Sequence, residues 1–285
     1  MFDITLKPAQ TEFVVLPGGV ITQVYNVTNN SNTSLAVDAS VLPWKPTGPD
    51  GSVTYDNVAS TNYLQFSLTN QDNRLDSPFV LMPKSTRQLV LKIEVAPDAN
   101  LGDYYYTFFI SQRQTSATSG SFSGTSGKIG SHILLSVSQT ENPATDISVD
   151  NFKATPKIKD IFFTPVTFSA QIRNDSGFYF KTIGDLTISK NGLVIKRIEL
   201  SPLNVLSNHR RNLQCQESCT ISPPFWPGAY TATINFDPSI SAKSFSTTFF
   251  VFPFSLLILL IIPALIFIIK TQSSLRAKHG SVTRS

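Results

Sequence analysis

A single segment limits what this chain can be. From Phe249 to Ile269 it reads FFVFPFSLLILLIIPALIFII, 21 residues without a charge. A helix of about 20 apolar residues spans the hydrocarbon core of a bilayer, and soluble cores rarely hold so long a run without a polar face. The segment 249–269 is therefore expected to be one transmembrane helix that contacts the lipid bilayer. Its helical part should begin near Pro253, where proline suits a first turn. Pro263 lies inside the span and removes one backbone hydrogen bond, which membrane helices accommodate when the freed carbonyl finds another partner. The tail that follows, 270–285, carries Lys270, Arg276, Lys278 and Arg284 and no acid. The positive-inside rule places this basic tail in the cytoplasm and residues 1–248 outside, as in a single-pass cell-membrane protein. The opening MFDITLKPAQ has neither the basic start nor the apolar stretch of a signal peptide. Either it lies at or near a mature N-terminus, or the chain is tail-anchored with a cytosolic body. The first is preferred, because the second requires the basic tail to cross the membrane.

The rest of the chain has a different texture. Only 15% of residues are charged, against about 25% in soluble domains. Short apolar runs are separated by Gly, Ser, Thr, Asn and Pro, an all-β pattern. Leu35, Val37, Ala39 and Val41 alternate with Ala36, Asp38 and Ser40; Leu89, Leu91, Ile93 and Val95 alternate with Val90, Lys92 and Glu94; Ile133, Leu135 and Val137 form a further alternating set. The alternation returns at Val166, Phe168, Ala170 and Ile172, and at Tyr230, Ala232 and Ile234. Side chains on a strand alternate faces, so each run has one buried and one wet side, as packed sheets require. No window of the ectodomain carries a helical apolar stripe. The polar, Pro-containing stretch Thr140–Asp146 separates the two sets of strands and leaves enough residues on each side for a sandwich. The expected fold is all-β: two tandem immunoglobulin-like β-sandwiches, 1–140 and 141–248, followed by one transmembrane α-helix.

Weak repeats point to duplication. Val27-Thr28-Asn29-Asn30-Ser31 is echoed by Ile172-Arg173-Asn174-Asp175-Ser176, and Leu101-Gly102-Asp103-Tyr104 by Pro227-Gly228-Ala229-Tyr230. The stretch Gln114–Ser131 is almost entirely Ser, Thr and Gly and cannot bury enough apolar surface to offset its ordering entropy. It joins two strand-like runs, 104–112 and 132–138, and reads as a long mobile hairpin loop, used either as a flexible contact or as a tolerated insertion.

Candidate chemistry is sparse. Cys215 and Cys219 lie in CQESC; outside the cell an even pair suggests a disulfide, and three intervening residues allow the required Cα separation. The spacing is CxxxC rather than the redox CxxC, and with only His209 nearby no zinc set of four ligands forms. His132, His209 and His279 have no catalytic company. Asp72 and Asp76 flank Arg74 in a loop-like segment, short of a glycosidase site. No nucleophile elbow, phosphate loop or nucleotide fingerprint is present. The formal charge is +4, but four of the basic residues lie in the tail, so no basic groove for nucleic acid is expected. No catalytic residue, cofactor or metal is expected, and the chain does not read as an enzyme. Trp44 in LPWKPTGPDG, with Tyr55 beyond it, is a candidate aromatic binding surface; the alternative is that Trp44 plugs the end of the sandwich. Sequons occur at Asn26, Asn29, Asn32 and Asn174.

The opening FDITLKPAQTEFVVLPGGVITQVYNVTNNSNTSLAVDASV resembles the first domain of the WxL-interacting proteins of bacterial surfaces. The matching features are Pro17-Gly18, Asn29-Asn30-Ser31 and Gly51-Ser52-Val53-Thr54-Tyr55. MPKSTRQLVLKIEVAPDANLGDYYYTFFI is similar to a later segment of that domain, although the family's Gly-Gly-Ile is replaced by the aromatic run Tyr104–Ile110. Residues 147–250 look like the second domain, with the single helix and basic tail after it. The resemblance implies anchoring at the cell envelope, with peptidoglycan bound by the first domain and surface proteins by the second, as in adhesion. The expected function is a membrane-anchored cell-surface binding or scaffolding protein recognising cell-wall or surface-protein partners. The alternative is a structural accessory subunit of a membrane complex, with the helix as the assembly element.

Overall fold

The computed structural model describes residues 2–70, 73–113, 127–223 and 225–280, with helix side chains described through Gln272. By contacts the chain divides into two compact units. The first comprises Met1–Ser148 with Arg173–Phe180 and Asn204–Arg211; the second comprises Val149–Ile172, Lys181–Leu203 and Asn212–Ser285.

The N-terminal half holds β1 (Ile4–Lys7), β2 (Gln10–Val15), β3 (Val20–Asn29), β4 (Leu35–Pro43), β5 (Lys45–Pro46), β6 (Val53–Thr54), β7 (Leu64–Leu68), β8 (Phe79–Leu81), β9 (Thr86–Val95), β10 (Gly102–Gln112) and β11 (Lys128–Val137). Two sheets, β1-β3-β9-β7 and β2-β11-β10-β4-β8, form a sandwich. The alternating runs fall on β4, β9 and β11, and their apolar phase is the buried one: Val37, Ala39, Leu89, Leu91, Ile93 and Val137 are inaccessible. Tyr25 stacks on Phe108 at 4.6 Å in the middle of this core. β10 and β11 pair antiparallel from Gly102↔Val137 to Ser111↔Lys128, so the second strand starts earlier than residue 132. Of the loop expected at Gln114–Ser131, residues 128–131 are strand, while 114–126 lie outside the described residues.

The C-terminal half holds β12 (Ile147–Thr155), β13 (Ile158–Asp160), β14 (Val166–Asn174), β15 (Phe180–Lys181), β16 (Gly184–Lys190), β17 (Leu193–Glu199), β18 (Asn204–Val205), β19 (Arg210–Asn212), β20 (Thr220–Ile221), β21 (Gly228–Phe236), β22 (Ser244–Phe252) and the helix α1 (Phe254–Gly280). Its sheets are β12-β14-β19, with β20 also on β14, and β13-β22-β21-β16-β17. The second of these repeats the order β2-β11-β10-β4-β8 strand for strand. In both halves the short strand at the sheet's start lies parallel to the last strand, β2 on β11 and β13 on β22. Phe249 stacks on Tyr230 at 5.1 Å and meets the edge of Phe168 at 5.8 Å. The chain is thus all-β, two immunoglobulin-like sandwiches and a C-terminal helix.

The sequence echoes mark two shared corners. Asn29 is fully buried and donates from Nδ2 to the carbonyls of Thr33, Leu81 and Met82, while its Oδ1 accepts from the backbone and hydroxyl of Ser31. Asn174, equally buried, donates to Phe178 and Val205 carbonyls and accepts from both groups of Ser176. A buried amide that fills its donors and acceptors fixes the chain where a strand leaves the sheet. Burial also withholds the sequon nitrogens of Asn29 and Asn174 from modification in the folded chain. The second corner is a tyrosine: Tyr104 and Tyr230 each donate their hydroxyl to the carbonyl four residues upstream, Asn100 and Trp226, a device known from immunoglobulin-like sandwiches.

The apolar run at the C-terminus is two elements rather than one. Phe249–Phe252 completes β22, with Phe249 and Val251 in the sandwich core; the helix begins at Phe254 and continues past Ile269 to Gly280. Alternation within an all-apolar run is invisible to a count of hydrophobic residues, so strand and helix merge in the sequence.

Candidate functional site

Three features of the second sandwich bear on function: its junction with the helix, a free sheet edge, and the disulfide loop beside that edge. At the junction, the first turn of α1 has no acid of its own. Asp160, at the end of β13, supplies one: its carboxylate accepts the Ser255 N–H at 2.8 Å and the Ser255 hydroxyl at 3.0 Å. A carboxylate at a helix N-terminus satisfies an orphan donor and meets the positive end of the dipole. Desolvation pushes the Asp160 carboxyl upward, but the N–H groups of Ser255 and Phe162, the Ser255 hydroxyl and the Lys159 charge outweigh it, so it titrates below the usual carboxylate range. Since β13 pairs with β22 through Asp160↔Phe252, the helix is fastened to the sandwich by a strand on each side of the handover. The 19-residue stretch Phe254–Gln272 is long and apolar enough to cross a membrane, and none of it is buried; at 1.5 Å per residue it covers about 28 Å.

β17 ends its sheet and, among the described residues, pairs with β16 alone. Beyond Ile198 its outer side is covered: the Gln216 N–H donates to Glu199 at 3.0 Å, Leu200 bridges Cys215, and Ser201 donates to Gln214 at 2.9 Å. The sulfurs of Cys215 and Cys219 are bonded, with Cα atoms 5.2 Å apart, and the Cys219 carbonyl accepts from Phe168 on β14. The loop therefore links the two sheets of the second sandwich and shields one end of its edge strand. The other end stays open: Val194 and Ile195 are 58% and 55% exposed. Beside them lies a groove of about 500 Å³ of mixed character, with Lys196, Thr220 and Ser222 as well as Ile195, Phe225 and Trp226 in its lining.

The aromatic pair Trp44 and Tyr55 is not on display. Trp44 is 5% exposed; its indole N–H donates to the Tyr106 carbonyl at 2.8 Å and its ring stacks on Tyr105. It is buried against Tyr105 and His132, on the face of β10 and β11 opposite the core residues Tyr106, Phe108, Ile133 and Leu135. Tyr55 is half-buried, its hydroxyl bonded to Thr107 and its ring edge-on to Phe109. Thr107 also bonds His132, whose pKa burial lowers.

One buried group had no sequence signal. Asp103, in the first unit, is held by the hydroxyls of Ser136 and Tyr105 and the Tyr179 N–H. Burial raises its pKa against these donors. Burial and the Asp103 charge likewise push the Tyr105 phenol up. Among the described residues no group of three His, Cys, Asp or Glu side chains could hold a metal ion.

No protein-family model and no curated protein sequence matches the chain. Solved structures similar to it include the class 5 fimbriae chaperone CfaA, at 10% identity and TM-score 0.41 over 86% of this chain and 98% of that one. Others are the CsuC–CsuE chaperone–tip adhesion subunit complex of Acinetobacter baumannii, at 9% identity and TM-score 0.39 over 88% and 99%, and the Salmonella enterica SafA pilin with the SafB chaperone, at 13% and 0.39 over 87% and 96%.

Proposed function

We propose that this chain is a membrane-anchored cell-surface binding and scaffolding protein, held by α1, with residues 1–252 outside the cell and the basic end inside. The β17 edge carries the reading. A strand with unpaired backbone groups and exposed apolar side chains is the setting for strand addition by a partner protein. The disulfide loop supports it by closing the rest of that edge, so a partner strand has a defined stop. The partner class is an extended segment of another surface protein; peptidoglycan, implied by the family resemblance, is the competing ligand.

A photo-crosslinking residue at Val194 in the full chain tests this in intact cells. One discrete adduct, abolished by Ile195→Lys, supports strand addition, because an edge lysine opposes pairing. No adduct, with saturable sedimentation of the chain on insoluble peptidoglycan, moves recognition to the wall polymer. Neither an adduct nor sedimentation would overturn the binding reading. An ectodomain fragment for such work has to run to Phe252, because a cut before Ser244 removes β22.

A further inference from the structure

Strand register gathers three loops at the end of the second sandwich from which the helix leaves. Asp160 pairs with Phe252, so the loop Ile161–Pro165 follows at that level. Gly228 pairs with Val251, which places Phe225–Pro227 beside it. The β16–β17 turn reaches the same level: the Lys190 ammonium donates to the Pro227 carbonyl at 2.8 Å. The tips carry Phe163 and Leu193, each 75% exposed, and Trp226, 80% exposed. Phe162, Phe250 and Phe252 are exposed with them. Among the described residues outside the helix, every Phe, Tyr or Trp that is largely exposed lies at this end, and none lies in the first sandwich.

These side chains are presented by braced loops. Phe225 donates its N–H to the Ile161 carbonyl at 3.2 Å, and Phe162 donates to Asp160 at 3.0 Å. The buried Lys159 donates to the Thr164 carbonyl and lies 3.9 Å over the Phe225 ring. The only acid in the three loops and their adjoining residues is Asp160, already engaged by the helix; the other charges are Lys157, Lys159, Lys190 and Lys196.

We propose that this end of the second sandwich is itself a membrane-contact surface: Phe162, Phe163, Leu193 and Trp226 seat at the headgroup–acyl boundary of the bilayer that α1 crosses. Aromatic side chains concentrate at that depth, and lysines beside them suit anionic headgroups. A contiguous exposed apolar patch calls for a partner. The lipid surface is the one the chain itself brings there, because β22 runs through the patch into α1. The inference rests on the anchoring reading, and the test separates the two.

The full chain is reconstituted in vesicles of phosphatidylcholine and phosphatidylglycerol, with and without bromine on the upper acyl chain. The chain has two tryptophans, and Trp44 is buried in the first sandwich, so Trp226→Phe supplies the background. Resistance to alkaline carbonate extraction reports whether α1 is integrated. Integrated chain that loses most of its Trp226 emission in brominated vesicles supports the proposal. Integrated chain with equal emission in both vesicles overturns the contact surface and leaves the anchor standing. Chain extracted by carbonate overturns the anchor, and the contact surface with it. Phe163→Asp with Leu193→Asp, at exposed tips where folding is unaffected, should restore Trp226 emission if the loops insert together; unchanged quenching would remove them from the surface.

Discussion

The two sandwiches share a strand order, an asparagine corner and a tyrosine corner, yet they close differently. In the first, the ten-residue β9 lies between β3 and β7 and runs the length of its sheet. In the second, β14 has the nine-residue β12 on one flank but only the short pieces β19 and β20, separated by the CQESC loop, on the other. One sandwich is sealed by a continuous strand. The other is interrupted on one flank of β14 and patched there by a cross-link.

The strongest way to test that comparison is to strike the shared corner in each half. Asn29→Ala and Asn174→Ala both strand buried carbonyls and should each cost about 2–4 kcal/mol, since an unsatisfied buried group costs about 1–3 kcal/mol. Denaturation of the ectodomain ending at Phe252 measures this. Similar losses would show that the corners are equivalent in energy as well as geometry; a small loss at Asn174 alone would place the weak half of the molecule at its corner. The next effect belongs to the second sandwich only. Cys215→Ser with Cys219→Ser opens a five-residue loop, which the chain-entropy account values at roughly 2 kcal/mol. It should also raise hydrogen exchange at Phe168, Ser201 and Gln216 without changing β9. Exchange rising equally in both halves would deny that the loop patches the second sandwich.

The smallest effect is a pH dependence in the first unit. Burial raises the folded-state pKa of Asp103, so its favourable contribution is complete below the ordinary carboxylate range and is lost as pH rises through the raised value. Stability should therefore fall over that interval by at most about 1.4 kcal/mol per pH unit. Asp103→Asn should flatten the profile, and a profile unchanged by the substitution would show that another group sets it.

Period-two alternation made β4, β9, β11, β14 and β21 legible before any coordinates, because one buried face per strand leaves that trace. The polar break at 140–146 falls between β11 and β12 for the same reason. The echoed Asn-x-Ser and Gly-x-Tyr segments were visible as words, but their meaning was not. Only the fold shows that Asn29 reaches Leu81 and Met82, more than fifty residues away. Trp44 looks like a surface aromatic among prolines and glycines until Tyr105 and Tyr106 are placed beside it. Asp103 has no local signature, since its burial depends on Ser136 and Tyr179. The apolar run 249–269 merges a strand end with a helix: Phe249 and Val251 belong to β22, while the helix starts at Phe254, next to the Pro253 where the sequence places it.

The continuity of β22 with α1 has a mechanical consequence. β17, the edge proposed to hold a partner, and β22, the strand that enters the helix, belong to one sheet, with β21 and β16 between them. Tension from a captured strand would cross that sheet sideways and reach α1 along β22. There it is resisted by the antiparallel pairing Gly228–Asn235 on one flank and by β13 on the other. Such a load shears many hydrogen bonds together instead of peeling them one at a time. Under the proposed anchoring, a pull on the β17 edge would be borne by the whole sheet before it reached α1.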